Sequence, residues 1–375
     1  MPFKSARFSS FRNLQDQEIG TDAERVFLIG ENGQGKTNFL EALYYLCYGS
    51  SFRGAVDAQI PVTGASGFGL TGIWADTGAE SVLDDEISVR VEGPAKDIRL
   101  NGKPLKDRKE LVLHNPAVVF CHEDFTFAAG DPERRRFFFD QCAGMLSLAY
   151  IDSLRAYKRV LKQRNAALKE SAYDLLDALD PLLVTHGMDL MEARRRLHGR
   201  FQREFPSLYG VVSLLNAPVD LAYSPSWPED ASVDALLAAL RDRRESEVFL
   251  GTTRSGPHRD RWDFSCAGER FTEKASTGQL RLVSLILRII EARAYAESTA
   301  TAGRAPRWPV LLLDDVLLEL DVGRRRRFLE LLPGPGEGAQ AFFTFLPEEP
   351  WTEYEHGDTI VYEVSHGRFR REERL

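Results

Sequence analysis

The chain has 375 residues, 28% of them charged, and a formal net charge of −8, which fits two folded domains, or one domain with an insertion, and excludes wholesale disorder. The acidic balance argues mildly against a small DNA-binding domain, although basic residues in a chain this long can gather on one face. Met1–Gln15 has no apolar core of the signal-peptide kind and no apolar run reaches the roughly 20 residues that span a bilayer, so a cytoplasmic protein with no membrane partner is expected.

In chain order, Arg25–Ile29 is a short apolar run ending at Gly30 and reads as a strand. After a glycine-rich loop, Phe39, Leu43 and Leu46 recur at helical spacing. Ile87, Val89 and Val91 alternate with polar residues, as do Ile98 and Leu100, and Asn101-Gly102 is a hairpin signal. These predict a small antiparallel sheet. From about 131 the composition shifts to Leu, Ala, Arg and Glu. Leu154, Tyr157, Leu161 and Leu168 mark one helix, a second is expected over Pro181–Phe205, and a third over Val233–Phe249. Pro206 and the Pro218–Pro228 stretch are expected to break this region. Leu280, Val283, Leu287, Ile290 and Ala294 mark another amphipathic helix. Val310–Leu313 and Ala341–Phe345 read as buried strands. The α/β ends flank a helical middle, so the expected division is 1–130 and 249–375 as one nucleotide-binding head and 131–248 as an inserted helical lobe. Cys47, Cys121, Cys142 and Cys266 form no C-x-x-C pair and read as reduced packing residues.

Three stretches carry chemistry. Gly30-Glu31-Asn32-Gly33-Gln34-Gly35-Lys36-Thr37 fits G-x-x-x-x-G-K-[ST] in full, between a strand and a helix. In such a loop backbone N–H groups curl around phosphate oxygens and the helix N-terminus adds favourable partial charge. Lys36 is expected at the β/γ-phosphates of ATP and the Thr37 hydroxyl at Mg²⁺. Val310–Leu313 then delivers Asp314 to the Mg²⁺ side and Asp315 to the attacking water. Ser276-Thr277-Gly278-Gln279 opens a helix. Ser276 is either an N-cap or, together with that helix end, a second phosphate site. One chain cannot easily put two such sites on the same phosphate, whereas a second copy can.

The order of glycine loop, Ser-x-Gly-Gln helix start and Leu-Leu-Leu-Asp-Asp strand, followed by Glu319-Leu320-Asp321, resembles the ABC-type ATPase heads of the SMC group. Finer strings resemble the bacterial RecF recombination-mediator family. They are Phe11-Arg12-Asn13, Leu40-Glu41-Ala42, Ser51-Phe52-Arg53, Glu123-Asp124, Arg135-Arg136 with Asp140, Leu161–Asn165 and Ser255–Asp260. The resemblance implies an ATPase head, with a mixed sheet, flanking helices and an antiparallel β subdomain, plus an inserted helical arm. It implies an ATP-dependent, head-to-tail homodimer in which Lys36 and Thr37 hold the phosphates, Ser276, Gly278 and Gln279 of the other copy close on the γ-phosphate, Arg12 lies near the nucleotide, and Glu319 and Asp321 sit on the interface loop. It further implies binding to DNA at gapped or single/double-strand sites, work with other recombination-mediator proteins in recombinase loading and the SOS response, and weak, DNA-stimulated ATP turnover that acts as a switch.

Four departures stand out. Leu280-Arg281 follows Gly278-Gln279 where the family has Gln-Arg; Leu318 replaces a Ser; His122 replaces a Pro before Glu123-Asp124; and Thr344-Phe345-Leu346 replaces a Thr-rich string, which leaves the γ-phosphate sensor unassigned. The basic clusters Arg134–Arg136, Lys158-Arg159-Lys162-Arg164, Arg194–Arg196 and Arg324–Arg327 admit two readings, DNA phosphate contacts or solvated helix faces. Gly256-Pro257-His258-Arg259-Asp260 reads as a structural or interface loop rather than a catalytic one, having no nucleophile or metal partner. The competing function is a transport-coupled or metabolic P-loop ATPase. Lack of membrane segments counts against the first, and lack of a recognisable substrate pocket against the second.

Overall fold

The computed structural model describes residues 2–75, 84–215, 217–300, 306–318 and 320–372. The chain divides into two compact units, Met1–Glu123 with Glu291–Leu375, and Asp124–Ile290.

The first unit holds two six-stranded sheets. In the core sheet the strands run in the order Arg368–Arg371, Thr359–Ser365, Arg25–Ile29, Ala341–Phe345, Val310–Leu313, Ala117–Phe120. All neighbours are parallel except the hairpin at the Arg368–Arg371 edge. Val310–Leu313, Ala341–Phe345 and Ala117–Phe120 are buried along their whole length. That explains their unbroken apolar sequence: central parallel strands are covered on both faces. The second sheet is antiparallel, in the order Gln17–Gly20, Phe3–Ser9, Gly67–Trp74, Asp85–Glu92, Ala95–Leu100, Lys103–Pro104. Its strict alternation of buried and accessible residues, clearest in Gly67–Trp74, is that of a half-buried sheet. One apolar core joins both sheets to the Lys36–Tyr48 helix through Phe39, Leu43, Leu46, Phe8 and Val26.

The second unit is mainly helical. It contains Pro132–Leu146, Leu148–Lys169 and the 41-residue Tyr173–Ser213 helix, with a three-stranded sheet of Val219–Ser224, Arg261–Cys266 and Glu269–Arg270. Pro206 does not end the second long helix; it lies inside it, as does Pro181. The buried stripe Leu190, Leu197, Phe201, Phe205, Tyr209 and Val212 runs straight past it. That packing outweighs the roughly 3 kcal/mol that an interior proline costs. The expected third helix is two, Val233–Asp242 and Arg244–Leu250. Residues 249–290, assigned to the head from sequence, fall in this unit. Arg261–Cys266 pairs antiparallel with Val219–Ser224, and Trp262 stacks on Phe139 with ring centroids 3.6 Å apart. Among the described residues, no helix is long and apolar enough to cross a membrane.

Candidate nucleotide site

The glycine loop leaves the C-terminal end of Arg25–Ile29, and the Lys36–Tyr48 helix starts inside the motif. Gly35 has φ 118°, a backbone state closed to most side chains, which turns the chain from loop into helix. Lys36 is buried, and its ammonium is held by the carbonyls of Gly30 and, at 3.1 Å, Glu31. The Thr37 hydroxyl donates to Asp314 Oδ1 at 2.8 Å. Two residues 277 positions apart in sequence thus meet. They present a hydroxyl and a carboxylate, the hard oxygen donors that suit Mg²⁺.

Asp314 is fixed from below by its N–H, which donates to Phe120 O at 2.9 Å. Asp315 has φ 50°, an uncommon state for a residue with a side chain. Thr344 holds it there. The Asp315 N–H donates to Thr344 Oγ1 at 2.8 Å, and that hydroxyl faces Asp315 Oδ1 at 2.8 Å and Asp314 Oδ1 at 3.3 Å. A hydroxyl has one proton, so the shorter contact takes it, and Asp314 Oδ1 keeps the hydrogen bond from Thr37. Strain held in place by neighbours is typical of functional sites.

A second set of residues braces the loop from outside. Asn13 Nδ2 donates to Gly33 O at 2.9 Å, and Asn38 Nδ2 donates to Asn13 Oδ1 at 2.7 Å. Opposite, the two-residue turn His366-Gly367 joins the last two strands. The Gly367 N–H donates to Gln34 O at 2.8 Å and the His366 N–H to Gln34 Oε1 at 2.7 Å. Gly367 has φ 75°, and a Cβ there would lie 2.0 Å from Asn13 O. Sequence reasoning missed this brace. Its one local signal is His-Gly between alternating strands, a two-residue hairpin pattern.

Arg12 is held on Glu41, with Nε and Nη2 bonding the carboxylate at 2.9 and 2.7 Å and Nη1 bonding Gln59 O at 3.0 Å. Glu41 is fully buried and also accepts from Ser51. The structure therefore shows Arg12 anchoring the turn before Asn13. Ser276 and Gln279 form a reciprocal cap, Gln279 N to Ser276 Oγ at 3.3 Å and Ser276 N to Gln279 Oε1 at 2.8 Å. Ser276 is exposed, and Gly278 has open space around it. Asp321 is exposed and caps the Val322–Leu329 helix by accepting from Arg324 N at 2.9 Å. Glu319 lies outside the described residues.

The structure also sorts the basic clusters. Arg135, Arg164 and Arg194 are buried. Arg164 bonds Asp180 at 2.6 Å and Glu247 at 2.7 Å; Arg194 bonds Asp140 and Asp260, each at 2.7 Å. These hold the second unit together. Arg195 and Arg196 pair with Glu192. Lys158, Arg159 and Lys162 lie exposed on Leu148–Lys169. The Gly256–Asp260 loop feeds the same network. Asp260 also accepts from Tyr223 at 2.6 Å, and His258 Nδ1 meets Tyr157 Oη at 2.7 Å. Burial drives the His258 pKa down to about 4.

A comparison with protein-family models found no match. The DNA replication and repair protein RecF of Treponema pallidum (strain Nichols) is 39% identical over 358 residues, 96% of this chain and 98% of its own length. Its namesake from Synechococcus sp. (strain JA-3-3Ab) is 32% identical over 335 residues, 86% of each chain. Among solved structures, that of the recombination mediator protein RecF-ATP in the RecFOR pathway superposes with a TM-score of 0.84 at 25% identity, covering 99% of this chain and 98% of that one. The RecF-ATPrS structure gives 0.83 at 27% identity, covering 98% and 97%. An Smc head bound to the C-winged helix domain of ScpA, 14% identical with a TM-score of 0.60 over 98% and 97% of the two chains, shares the fold. With this level of identity along nearly all of its length, the chain belongs to the RecF family.

Proposed function

We propose that this protein is an ATP-dependent, DNA-binding recombination mediator in which the nucleotide gates the pairing of two copies at gapped or single/double-strand DNA, in support of recombinase loading and the SOS response. The carrying observation is the 2.8 Å bond from Thr37 to Asp314, which joins the phosphate loop to the Asp-Asp strand in one site. Loop N–H groups and the helix N-terminus bind the phosphates. Lys36 exchanges two loop carbonyls for phosphate oxygens, and Thr37 and Asp314 would hold Mg²⁺. That ion supplies charge neutralisation at the phosphates when bound. Asp315, set by Thr344, orients the attacking water.

Ser276 spends a lone pair on its cap, and its own O–H stays available in an exposed position. That leaves it able to donate to the γ-phosphate held by a second copy. The expected compartment is the cytoplasm, and the expected protein partners are other recombination mediators. The exposed Lys158, Arg159 and Lys162 are the best candidates for DNA phosphate contacts.

Light scattering tests the switch. ATP with Mg²⁺ should double the mass and ADP should not, and Lys36→Ala should abolish both nucleotide binding and the shift. No change in mass with ATP would refute the gating. Binding to single-stranded, duplex and junction DNA, with and without ATP across a salt series, tests the DNA half.

A further inference from the structure

In the second unit, Leu148–Lys169 carries six cations and one acid, Asp152. Arg164 is taken up by the buried network with Asp180 and Glu247. At about 100° per residue, Lys158, Lys162 and Lys169 fall within roughly 40° of one another round the helix, and Arg159 stands beside them. All four are exposed, and none forms an ion pair among the described residues. Arg195 and Arg196 of the next helix, by contrast, both pair with Glu192. Lys158 and Lys162 are four apart, a spacing at which like charges destabilise a helix. A row of cations left unneutralised in this way is matched to an anion from outside the chain. From Lys158 to Lys169 it runs about 16 Å, the length of roughly five phosphates of one DNA strand.

The row ends against the Arg244–Leu250 helix and the loop that follows it. The Thr253 N–H donates to Asn165 Oδ1 at 2.8 Å, and a Cβ at Gly251 would lie 3.1 Å from Lys169 Cγ. Gly251–Arg254 therefore runs along the last turn of the cationic helix. Arg254 is exposed there and forms no ion pair among the described residues. Glu247 turns inward to Arg164 at 2.7 Å. Phe249, two residues on, lies about 200° further round its helix and faces out. It is 89% exposed, and Leu250 beside it is 49% exposed. An aromatic ring standing in water loses free energy that stacking on a base recovers. Lys169 and Phe249 are 80 residues apart in sequence, and only the fold brings their segments together.

We propose that the second unit holds a single-stranded DNA site, in which Lys158, Arg159, Lys162, Lys169 and Arg254 track the phosphates and Phe249 stacks on a base. Cations grip duplex and single strand alike, whereas a ring stacks only on a base that is not already stacked in a duplex. Phe249 thus gives the helical arm its preference for the unpaired side of a junction. A DNA strand suits this surface better than an anionic membrane does: the cations lie in one row, and two apolar side chains at its end are too little to enter lipid. The proposal rests on the DNA-binding reading above.

The test titrates the full chain, with ATP and Mg²⁺, against a labelled dT oligonucleotide and a blunt duplex of the same length across a salt series. Phe249→Ala should weaken single-strand binding roughly 5- to 100-fold. Duplex affinity, salt slope and melting temperature should stay as they are, because the side chain is exposed. Phe249→Trp should restore the affinity, and its added indole fluorescence should be quenched by the oligonucleotide. Lys158→Ala combined with Lys162→Ala should lower the slope of log K against log salt by about 1.4, the worth of two single-strand phosphates. Unchanged single-strand affinity in Phe249→Ala overturns the proposal. So does an equal loss on duplex, which would make Phe249 a prop for its loop, or a loss confined to binding of phosphatidylserine vesicles. A wild-type chain that binds neither DNA would sink the DNA-binding reading and this proposal with it, whereas a wild type that binds single strands no better than these variants do would sink this proposal alone.

Discussion

Replacing Gly367 by Ala should loosen the phosphate loop, although Gly367 lies about 330 residues beyond it in sequence. Gly102 is the natural control. Both glycines have φ 75°, but a Cβ at Gly102 meets nothing within 4 Å, whereas at Gly367 it would sit 2.0 Å from Asn13 O and 2.9 Å from Leu14 Cα. The left-handed backbone alone costs an alanine about 1 kcal/mol, and that applies to both. At Gly367 the obstructing atoms are backbone, so the turn must retreat by roughly 1.5 Å to reach ordinary contact. Retreat strains or breaks the Gly367 N–H bond to Gln34 O and the Gln15 N–H bond to Gly367 O, 2.8 and 2.9 Å long, at about 1 kcal/mol each. Gly367→Ala should therefore cost about 3 kcal/mol and Gly102→Ala about 1. Urea denaturation of the two variants measures the difference, and titration with a fluorescent ATP analogue should show weaker binding in Gly367→Ala alone. If the two variants unfold alike and Gly367→Ala binds ATP as the wild type does, the hairpin does not brace the loop.

The remaining predictions concern the second unit. His258 has a folded pKa of about 4 against 6.5 when unfolded. The unfolded state therefore binds the extra proton first, and stability from this group is full above pH 6.5, is lost as pH falls towards 4, and changes no further below. The loss is at most about 3 kcal/mol; the difference in urea midpoint between wild type and His258→Gln across pH 4–7.5 should show that slope, and a flat difference would refute it. Arg164→Met leaves Glu247, whose side chain is 0% exposed, without its ion-pair partner while Asp180 keeps Arg244 at 2.7 Å, and should cost about 3–5 kcal/mol in thermal or chemical denaturation. Ser276→Ala should leave ATP affinity intact, cost about 1 kcal/mol as a lost cap, and block the ATP-dependent rise in mass; equal loss of binding and pairing would reduce Ser276 to a cap.

Much of the head was legible because its signals are local. Strand, glycine loop and helix start follow one another without a break, and Asp314-Asp315 closes an apolar run that marks a buried strand. The brace was not legible. Gln34 and Gly367 come together through strand order in the core sheet, Asn13 reaches them from the turn after Phe3–Ser9 of the antiparallel sheet, and no spacing rule links the three. Pro206 misled for a related reason. Pro206 is a strong local stop signal, but the aromatic stripe on either side of it buries enough surface to overrule that preference. Likewise, Arg164 and Arg194 look like surface charge in a Lys/Arg-rich stretch. Their carboxylate partners lie 16 to 83 residues away in sequence, so burial could not be read locally.

The order of strands in the core sheet has a consequence for biosynthesis. Arg25–Ile29, which launches the phosphate loop, is flanked on one side by Ala341–Phe345 and on the other by Thr359–Ser365. A ribosome adding about 5–20 residues per second takes roughly 15–60 s to travel from one to the other. Throughout that time the launching strand has neither neighbour, and its apolar edges are open to chaperones or to other nascent chains. A chain released early would carry the whole Gly30–Thr37 motif yet could not assemble the sheet that supports it, so incomplete products would not compete for ATP.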